Sequence, residues 1–352
     1  MGIVADIILL VLIVIVVAVF WPKISAFLQI AGTLVSNKVN GYNFSFPNSS
    51  SAALSTQLIN DGPLVNYTLA LINKDRETYN LSNVTLSQTA SAQQHADSMM
   101  QYDYFSHWDI YGMKPYMRYT LVGGTGAMQE NIAYMKSGIK TCIGSLCTVY
   151  GNLNITAALQ QMEYNMMYND SVCCNNGHRD NILDGNHDQV SIGIAYNSTS
   201  AYLVEDFINN YITWLNDTPK VNGSKVTLEG SVDPGYNIST IEVTYDPPVS
   251  PMSVYQLDNT SDYSYGQAIA GVVGNPLDYY PSLSTIVADT YYTRANDFLV
   301  SFDISKLTGH YGAGEYTIAL WLNGTYANSS FLGSTYTIFI NSNGTAYTPS
   351  NV

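Results

Sequence analysis

Two histidines and two glutamates in this chain could form a metal site or an acid/base site. His178 directly follows Gly177 in a turn, and Glu163 lies on the helical segment before that turn. His107 and Glu130 lie further upstream. Imidazole nitrogens bind divalent ions such as Zn²⁺, and a carboxylate can orient a metal-bound water or accept its proton. We therefore predict these four residues as a catalytic-type cluster, with His107 and His178 as ligands of Zn²⁺ or another divalent cation.

A structural role is the alternative for the same four residues. Their side chains could hydrogen-bond one another and hold the layers of a domain together, without binding a metal or converting a substrate. Because neutral imidazole is the ligand form, a strongly acidic medium would remove a bound metal. Two further histidines, His95 in a helix and His187 in a turn, are interpreted as structural residues.

Periodic apolar residues predict the elements that position the cluster. They indicate helices over 61–79, 85–100 (opened by a capping box) and 156–169, and a β-hairpin of strands 189–196 and 202–207. The glycine- and tyrosine-rich segment 109–126 is predicted as a loop. Glu163 falls on the apolar face of the third helix, where a carboxylate incurs a desolvation penalty unless it is paired. Glu163 is therefore the residue that most needs a partner.

The composition is that of an acidic chain with few charges. Of 352 residues, 46% are hydrophobic and only 11% are charged, less than half of the usual share of about 25%. The net charge of −14 argues against nucleic acid as a partner, because its phosphates would be repelled. The length predicts two globular domains in addition to a terminal anchor.

Fifteen Asn-X-Ser/Thr triplets indicate an exported, glycosylated chain. A composition rich in Asn, Ser and Thr also produces some triplets by chance, and Asn216 is set aside because Pro219 follows its triplet. The candidates for glycosylation are Asn43, Asn48, Asn66, Asn80, Asn83, Asn154, Asn169, Asn197, Asn222, Asn237, Asn259, Asn323, Asn328 and Asn343.

Four cysteines, Cys142, Cys147, Cys173 and Cys174, lie within one third of the chain. An exported setting favours disulfides over free thiols, and the sequence does not decide among the three possible connectivities. A cross-link from the first pair to the second would brace the turn at His178. A zinc site of four thiolates is the alternative, although the adjacent Cys173 and Cys174 lack the usual two-residue gap between paired ligands.

The chain begins with an apolar run that includes Ile7 to Phe20 and is long enough, at about 19 residues, to cross a bilayer. It lacks the positive start and the cleavage site of a signal peptide, so we predict a retained anchor helix over 1–38. A second apolar run continues past Pro22, and the alternative is a long helix at the core of a pilus-like filament. Residues 39–60 are predicted as a linker.

The last third of the chain shows short alternating strands separated by Gly, Pro, Asn and Asp. Seven strands are predicted, within 226–228, 241–243, 254–257, 286–288, 298–302, 316–320 and 336–340. Strands at this spacing without a helical pattern indicate an immunoglobulin-like β-sandwich over 216–352. We see no catalytic constellation in this part of the sequence.

Four motifs occur in order between residues 64 and 208: LINKDR at 71–76, FSH at 105–107, QENIA at 129–133 and GHRDNIL at 177–183. Together they resemble the CAP superfamily of secreted proteins (cysteine-rich secretory, antigen 5 and pathogenesis-related proteins), also called SCP-like. The resemblance implies an α-β-α sandwich whose central cleft holds two histidines and two acidic residues. Carried over to this chain, these residues are His107, Glu130, Glu163 and His178.

The predicted fold class is therefore α+β, with a CAP-type α-β-α sandwich over 61–215 between the hydrophobic helix and the immunoglobulin-like sandwich. The predicted function is that of a membrane-anchored, glycosylated extracellular surface protein. Its cleft would bind a divalent metal and a peptide, glycan or lipid. The alternative is a non-enzymatic adhesion or filament subunit that self-associates through its N-terminal helix. A hydrolase-type activity stays open, and a non-enzymatic role is favoured.

Overall fold

The computed structural model describes residues 51–137, 139–143, 146–260, 262–324 and 330–349. Side-chain positions are described from residue 62 onward, except over 138–150. The hydrophobic helix predicted over residues 1–38 lies outside this part of the chain. Among the helices that are described, none has the length and hydropathy that a membrane span requires.

The first half of the described chain folds around one four-stranded mixed sheet. Its elements are, in chain order, α1 (Ser51–Thr78), β1 (Thr85–Leu86), α2 (Ser91–Tyr102), α3 (Pro115–Leu121), β2 (Ala127–Lys136), β3 (Ile139–Ile143), β4 (Leu146–Tyr150), α4 (Ile155–Tyr168), α5 (Ser171–Cys174), α6 (Gly177–Ile182), β5 (Gln189–Tyr196) and β6 (Ser200–Asn209). The strand order across the sheet is β1-β5-β6-β2. β6 pairs antiparallel with both β5 and β2, whereas β1 pairs parallel with β5.

Helices cover both faces of this sheet. Along β6, Leu203 and Phe207 belong to the core formed with α1 and α4, whereas Tyr202 and Val204 belong to the core formed with α2. This division follows from the strand geometry, in which successive side chains point to opposite faces. The three layers and the β5–β6 hairpin agree with the mixed α and β class predicted from the sequence.

The first helix is longer than its sequence pattern predicted. It begins at Ser51, within the segment predicted as a linker, and Pro63 lies inside it and not in its first turn. A proline inside a helix removes one backbone hydrogen bond and crowds the preceding turn. The helix continues past it with Val65 and Ile72 buried in the core, so tertiary packing outweighs the local cost of the proline.

Two further local predictions are wrong. The predicted capping box at residues 85–88 does not start a helix, because Thr85 and Leu86 form β1 and the helix begins at Ser91. The backbone N–H groups of Thr85 and Ser87 instead donate to carbonyls next to and within β5. The predicted loop over 109–126 contains α3, which starts at Pro115 and is buried through Thr120.

The second half of the described chain is a two-sheet β-sandwich with two short helices. Its elements are β7 (Ile212–Trp214), β8 (Lys220–Asn222), β9 (Lys225–Val232), β10 (Tyr236–Asp246), α7 (Val254–Leu257), β11 (Gln267–Val273), β12 (Ser284–Val287), β13 (Thr290–Arg294), β14 (Asp297–Asp303), α8 (Ser305–Tyr311), β15 (Gly314–Gly324), β16 (Ser330–Ile340) and β17 (Ala346–Tyr347). One sheet has the order β12-β11-β10-β15-β16-β17 and the other β13-β14-β9-β7, with β8 beside β9. Residues of both sheets share one apolar core.

The sandwich differs from the sequence prediction in two places. Residues 254–257 form α7 and not a strand, because Ser253 and Gln256 make a capping box that satisfies backbone N–H groups at the helix start. The first sandwich strand begins at Ile212, ahead of the boundary predicted at residue 216. The finer assignment to the immunoglobulin-like class stays a prediction.

The two halves are joined through a buried polar and apolar interface. Lys114 lies before α3 and its Nζ atom is 2.6 Å from Oδ1 of Asp246, at the end of β10. The Tyr116 hydroxyl donates to the other oxygen of that carboxylate. Phe339 of β16 packs in the same core as Met128 of β2. Both halves therefore form part of one compact unit, and the loop after α7 accepts hydrogen bonds from side chains of the first domain.

Candidate functional site

The ring of His107 is held by Glu130. His107 lies in the loop between α2 and α3, and its Nδ1 atom is 2.9 Å from Oε1 of Glu130 on β2. The other oxygen of Glu130 accepts a hydrogen bond from Arg118 of α3 at 2.7 Å. Arg118 also donates to the backbone carbonyl of His107 at 2.9 Å. One arginine therefore positions both the carboxylate and the loop that carries the histidine.

The electrostatics of this group keep Glu130 ionised. Burial raises the pKa of Glu130, but His95 in the protonated form that it takes in acid, the charge of Arg118 and the hydrogen bond from His107 lower it more, to about 2. Burial lowers the pKa of His95 to about 3, so at neutral pH His95 is uncharged and Arg118 supplies the positive charge. Because a carboxylate only accepts hydrogen bonds, Nδ1 of His107 carries a proton, and in the neutral imidazole Nε2 then carries the lone pair.

The ring of His178 is held in the same way by a different carboxylate. Its Nδ1 atom is 2.6 Å from Oδ1 of Asp170, and the second oxygen of Asp170 accepts the backbone N–H groups of His178 and Arg179. The chain reverses between the two residues through Asn175 and Asn176, which both have positive φ. Asparagine tolerates this left-handed conformation better than most residues. Asp170 therefore fixes both the turn and the imidazole.

A buried network of amides connects the two histidine segments. Asn131, next to Glu130 on β2, donates to the carbonyl of His178 at 3.2 Å and accepts from Asn181 at 2.9 Å. The Asn181 oxygen is 2.9 Å from Nε2 of His187, which is buried. The interpretation of His187 as a structural residue agrees with this position. The network explains why the motif around residue 130 and the motif around residue 178 lie together.

Both histidines line one cleft of about 420 Å³. Its wall is formed by Phe105, Ser106, His107, Gln129, Glu130, Asn131, Ile132, Cys173, Cys174, Gly177, His178, Asn181, Asp262 and Tyr263. No described residue hydrogen-bonds the Nε2 atom of His107 or His178. The cleft therefore offers two imidazole nitrogens whose tautomers are set by carboxylates behind them.

The sandwich contributes one wall of this cleft, which the sequence did not indicate. The backbone N–H of Glu130 donates to the Tyr263 hydroxyl at 2.9 Å, and the Tyr263 ring lies 5.1 Å from the His107 ring. Ser106 and Trp108, on either side of His107, donate to the backbone carbonyls of Thr260 and Asp262. The histidine loop is therefore braced from the second domain.

Replacing Tyr263 by Phe tests this bracing. We expect the variant to lose about 1–3 kcal/mol of unfolding free energy, because the N–H of Glu130 loses its acceptor. Denaturant unfolding of the full chain measures the loss, with Tyr279→Phe at an exposed position as the control. Equal stability of Tyr263→Phe and the parent would contradict a bracing role for the hydroxyl.

Glu163 does not join the cleft, contrary to the sequence prediction. Its side chain on α4 is buried beside Glu205 on β6, and it is not among the residues that line the cleft. Burial, followed by the repulsion of Glu205, raises the pKa of Glu163. Burial also raises the pKa of Glu205, to about 7. Among the described groups, no donor meets ordinary hydrogen-bond geometry at the oxygens of either carboxyl, and a proton on one carboxyl lets it donate to the other.

The cysteines also differ from the cross-link considered from the sequence. Cys173 and Cys174 form a disulfide with each other at the cleft, so neither is available for a bond to the other pair. Cys142 and Cys147 are backbone partners across β3 and β4. The adjacent disulfide lies at the end of α5, immediately before the turn to His178.

Sequence reasoning missed Asp170, Arg118 and Tyr263 and assigned a role to Glu163 in place of Asp170. The position of Asp170 offers a weak signal, since a carboxylate eight residues before a histidine across a turn can reach back to it. Arg118 lay in a segment predicted as a loop. Tyr263 belongs to another domain, and nothing in its local sequence points to the site.

The fold and the cleft define the class of the first domain: a three-layer α-β-α sandwich with two carboxylate-held histidines on one cleft. Residues 69–212 match the family described as CAP, the Cysteine-rich secretory protein family. The resemblance in the four motifs is thus confirmed over these residues, and the match does not include the N-terminal segment or the sandwich.

No curated protein matches the chain. Among solved structures, the chain is similar to the 1.5 Å crystal structure of an extracellular protein containing a SCP domain from Bacillus anthracis str. Ames. The identity is 21%, the TM-score is 0.30, and the similarity covers 42% of this chain and 40% of that chain. The chain therefore spans less than half of the protein to which it is similar.

Proposed function

We propose that this chain is an exported surface protein whose CAP-type domain binds a ligand at the cleft, with a divalent cation held by His107 and His178. The observation that carries the proposal is the pair of carboxylate–histidine contacts, Glu130 to His107 and Asp170 to His178. Metal-binding histidines in proteins usually donate their second N–H to such a carboxylate, which fixes the tautomer and raises the basicity of the ligand nitrogen.

The donor set suits an ion with an open coordination position. Two imidazole nitrogens leave room for water or for a ligand oxygen on Zn²⁺. Such an ion would polarise a carbonyl or a hydroxyl of a bound ligand. Glu130 is engaged by Arg118 and His107, so its role is to orient His107 and not to accept a proton from substrate. This favours binding over turnover.

The lining of the cleft favours a polar ligand such as a peptide or glycan segment. Gln129 offers an exposed amide group, and Tyr263 and Phe105 offer ring faces. Amide groups recognise peptide bonds and sugar hydroxyls, and aromatic rings add apolar contact area. The sandwich completes the cleft and thereby takes part in ligand binding.

The glycosylation candidates support export. Twelve of the fifteen triplets have an asparagine whose side chain is described, and all twelve side chains are exposed. Glycans at these positions would solvate a surface that carries few charges. The hydrophobic segment within residues 1–38 would attach the protein to the membrane, with both described domains outside the cell.

The metal claim is tested by adding Zn²⁺ to the oxidised full chain at neutral pH and measuring bound metal after dialysis. We expect about one ion per chain in the parent, and its loss in His107→Ala and in His178→Ala, because each variant removes a ligand. His310→Ala, at an exposed position of α8 in the sandwich, is the matched control. A parent without bound zinc, or two cleft variants that keep it, would remove the metal from the proposal.

A further inference from the structure

A second group of potential ligands lies beside His178. One ligand atom each of Asp170, Cys173, Cys174 and His178 can be chosen so that all four atoms lie within 4.8 Å of one another. Cys173 Sγ is 3.7 Å from Oδ1 of Asp170, and that oxygen is 2.6 Å from Nδ1 of His178. These contacts bring two sulfurs, one imidazole and one carboxylate together at one end of the cleft.

This set of donors can bind zinc only when the two cysteines are reduced. Zinc binds thiolate sulfur, imidazole nitrogen and carboxylate oxygen, and four such donors make a tetrahedral site. The thiolate is the metal ligand, and sulfurs bonded to each other in a disulfide are not thiolates. In the oxidised chain the Cys173–Cys174 bond therefore prevents both sulfurs from binding zinc, and only two of the four ligands remain.

The adjacency of the two cysteines does not prevent them from sharing an ion. The usual gap between paired ligands lets both sulfurs turn toward the metal, and here the fold has already brought both sulfurs together. With Zn–S distances of about 2.3 Å, two sulfurs of a tetrahedral site are roughly 4 Å apart. Opening the disulfide allows such a separation, with Asp170 and His178 already in place.

We propose that the Cys173–Cys174 disulfide is a redox gate on a zinc site formed by Asp170, Cys173, Cys174 and His178. A low-molecular-weight thiol or phosphine can reach it, because Cys173 is exposed and both cysteines line the cleft. Two electrons from the reductant break the S–S bond, and two protons convert the sulfurs to thiols. Zinc then displaces those two protons and binds both thiolates.

This site is distinct from the cation of the proposed function. It uses neither His107 nor Glu130, and it requires a reductant, whereas the ion held by His107 and His178 is expected in the oxidised chain. The two proposals share His178 and Asp170, which orients the imidazole in the first and is a metal ligand in the second. Variants at His107 and at the cysteines therefore separate them.

Cobalt tests the gate, because a thiolate bound to Co²⁺ gives an intense near-ultraviolet charge-transfer band and imidazole or carboxylate ligands do not. The full chain is titrated with Co²⁺ before and after reduction by a water-soluble phosphine, in which the phosphine becomes its oxide. We expect the band only after reduction, with about one equivalent of Co²⁺, and its loss when Zn²⁺ is added. A reduced parent chain without the band overturns the proposal.

Matched variants identify the sulfurs and the other ligands. The paired substitution Cys173→Ser and Cys174→Ser should abolish the band, whereas Cys142→Ser with Cys147→Ser should retain it. Asp170→Asn and His178→Gln should weaken or shift the band, and His107→Ala should leave it unchanged. A band that disappears only with Cys142 and Cys147 assigns the thiolates to the other pair and overturns the gate.

Discussion

Arg118→Met is expected to lower the free energy of unfolding at neutral pH by about 3–5 kcal/mol, the cost of leaving one partner of a buried ion pair without the other. Arg118 and Glu130 have side chains only 7% and 1% exposed, and the guanidinium nitrogen is 2.7 Å from the carboxylate. Without the arginine, burial would raise the pKa of Glu130 from its value of about 2.

The pH dependence of this loss has a defined sign. The lowered pKa of Glu130 stabilises the parent above the ordinary pKa of about 4.5, and this contribution disappears as the pH falls toward 2. The difference between Arg118→Met and the parent should therefore be largest at neutral pH and shrink in acid. Urea unfolding at a series of pH values measures it.

Two further variants separate the charge effect from lost packing. Arg179→Met removes an arginine of α6 that stacks on Tyr79 without a described ion pair, and it should cost much less. Adding Glu130→Gln to Arg118→Met should recover part of the stability, because no unpaired charge then remains buried. If Arg118→Met and Arg179→Met cost the same, the ion pair does not dominate the stability of this site.

Glu163→Gln is expected to stabilise the protein by about 1–3 kcal/mol near pH 7.5 and to change its stability little near pH 4.5. Burial raises the pKa of Glu205 to about 7, and burial together with the repulsion of Glu205 raises the pKa of Glu163. A group whose pKa is higher in the folded state binds more protons when folded. The pair therefore stabilises the fold below about pH 4.5, and this contribution is lost as the pH rises through about 7.

The measurement is thermal or denaturant unfolding of the parent and Glu163→Gln at both pH values. Glu77→Gln, at an exposed position of α1, is the control and should change nothing. His95 and His187 act in the opposite direction, because burial lowers the pKa of both, to about 3 and about 4. Their contribution is common to the parent and the variant. A variant that is less stable than the parent near pH 7.5 would contradict the shared-proton pair.

The carboxyl pair also answers the question raised by Glu163 in the sequence. A carboxylate on the apolar stripe of α4 needed a partner, and the sequence suggested the histidines. The partner is Glu205, because α4 lies on the face of the sheet to which Leu203, Glu205 and Phe207 alternate. Glu205 faces Glu163 because side chains alternate along β6. That alternation depends on the register of β6 in the sheet, and β6 is distant in sequence from α4.

The candidate site was predictable to the extent that its residues lie in motifs. His107, Glu130 and His178 line one cleft, as their motifs indicated, and the sequence could place them because each motif sets a local conformation. Asp170 and Tyr263 could not be placed in the same way. One reaches His178 across a turn with two left-handed residues, and the other reaches Glu130 from another domain.

The helices and strands likewise divide into those that the sequence predicts and those that it does not. The periodic segments for α1, α4 and the β5–β6 hairpin were predictable because their apolar period matches their geometry. The capping-box pattern at residues 85–88 does not begin a helix, because the backbone of β1 pairs with β5. Residues 254–257 form a helix and not a strand, because the capping box at Ser253 satisfies backbone N–H groups at the helix start. A short segment can carry sequence signals for both helix and strand, and the elements that pack beside it determine which of the two it forms.

By itself, the sequence determined the class of the first domain, the acidic and sequon-rich surface, the alternation of helical and strand periods, and three of the residues that line the cleft. These depend on local spacing and composition, which a linear chain records directly. Only the tertiary structure decided that Asp170 holds His178, that Glu163 pairs with Glu205, that Cys173 bonds Cys174, and that the sandwich closes the cleft through Tyr263. Each of these depends on which side chains the folded layers bring together, and that choice is made by packing and burial over the whole domain.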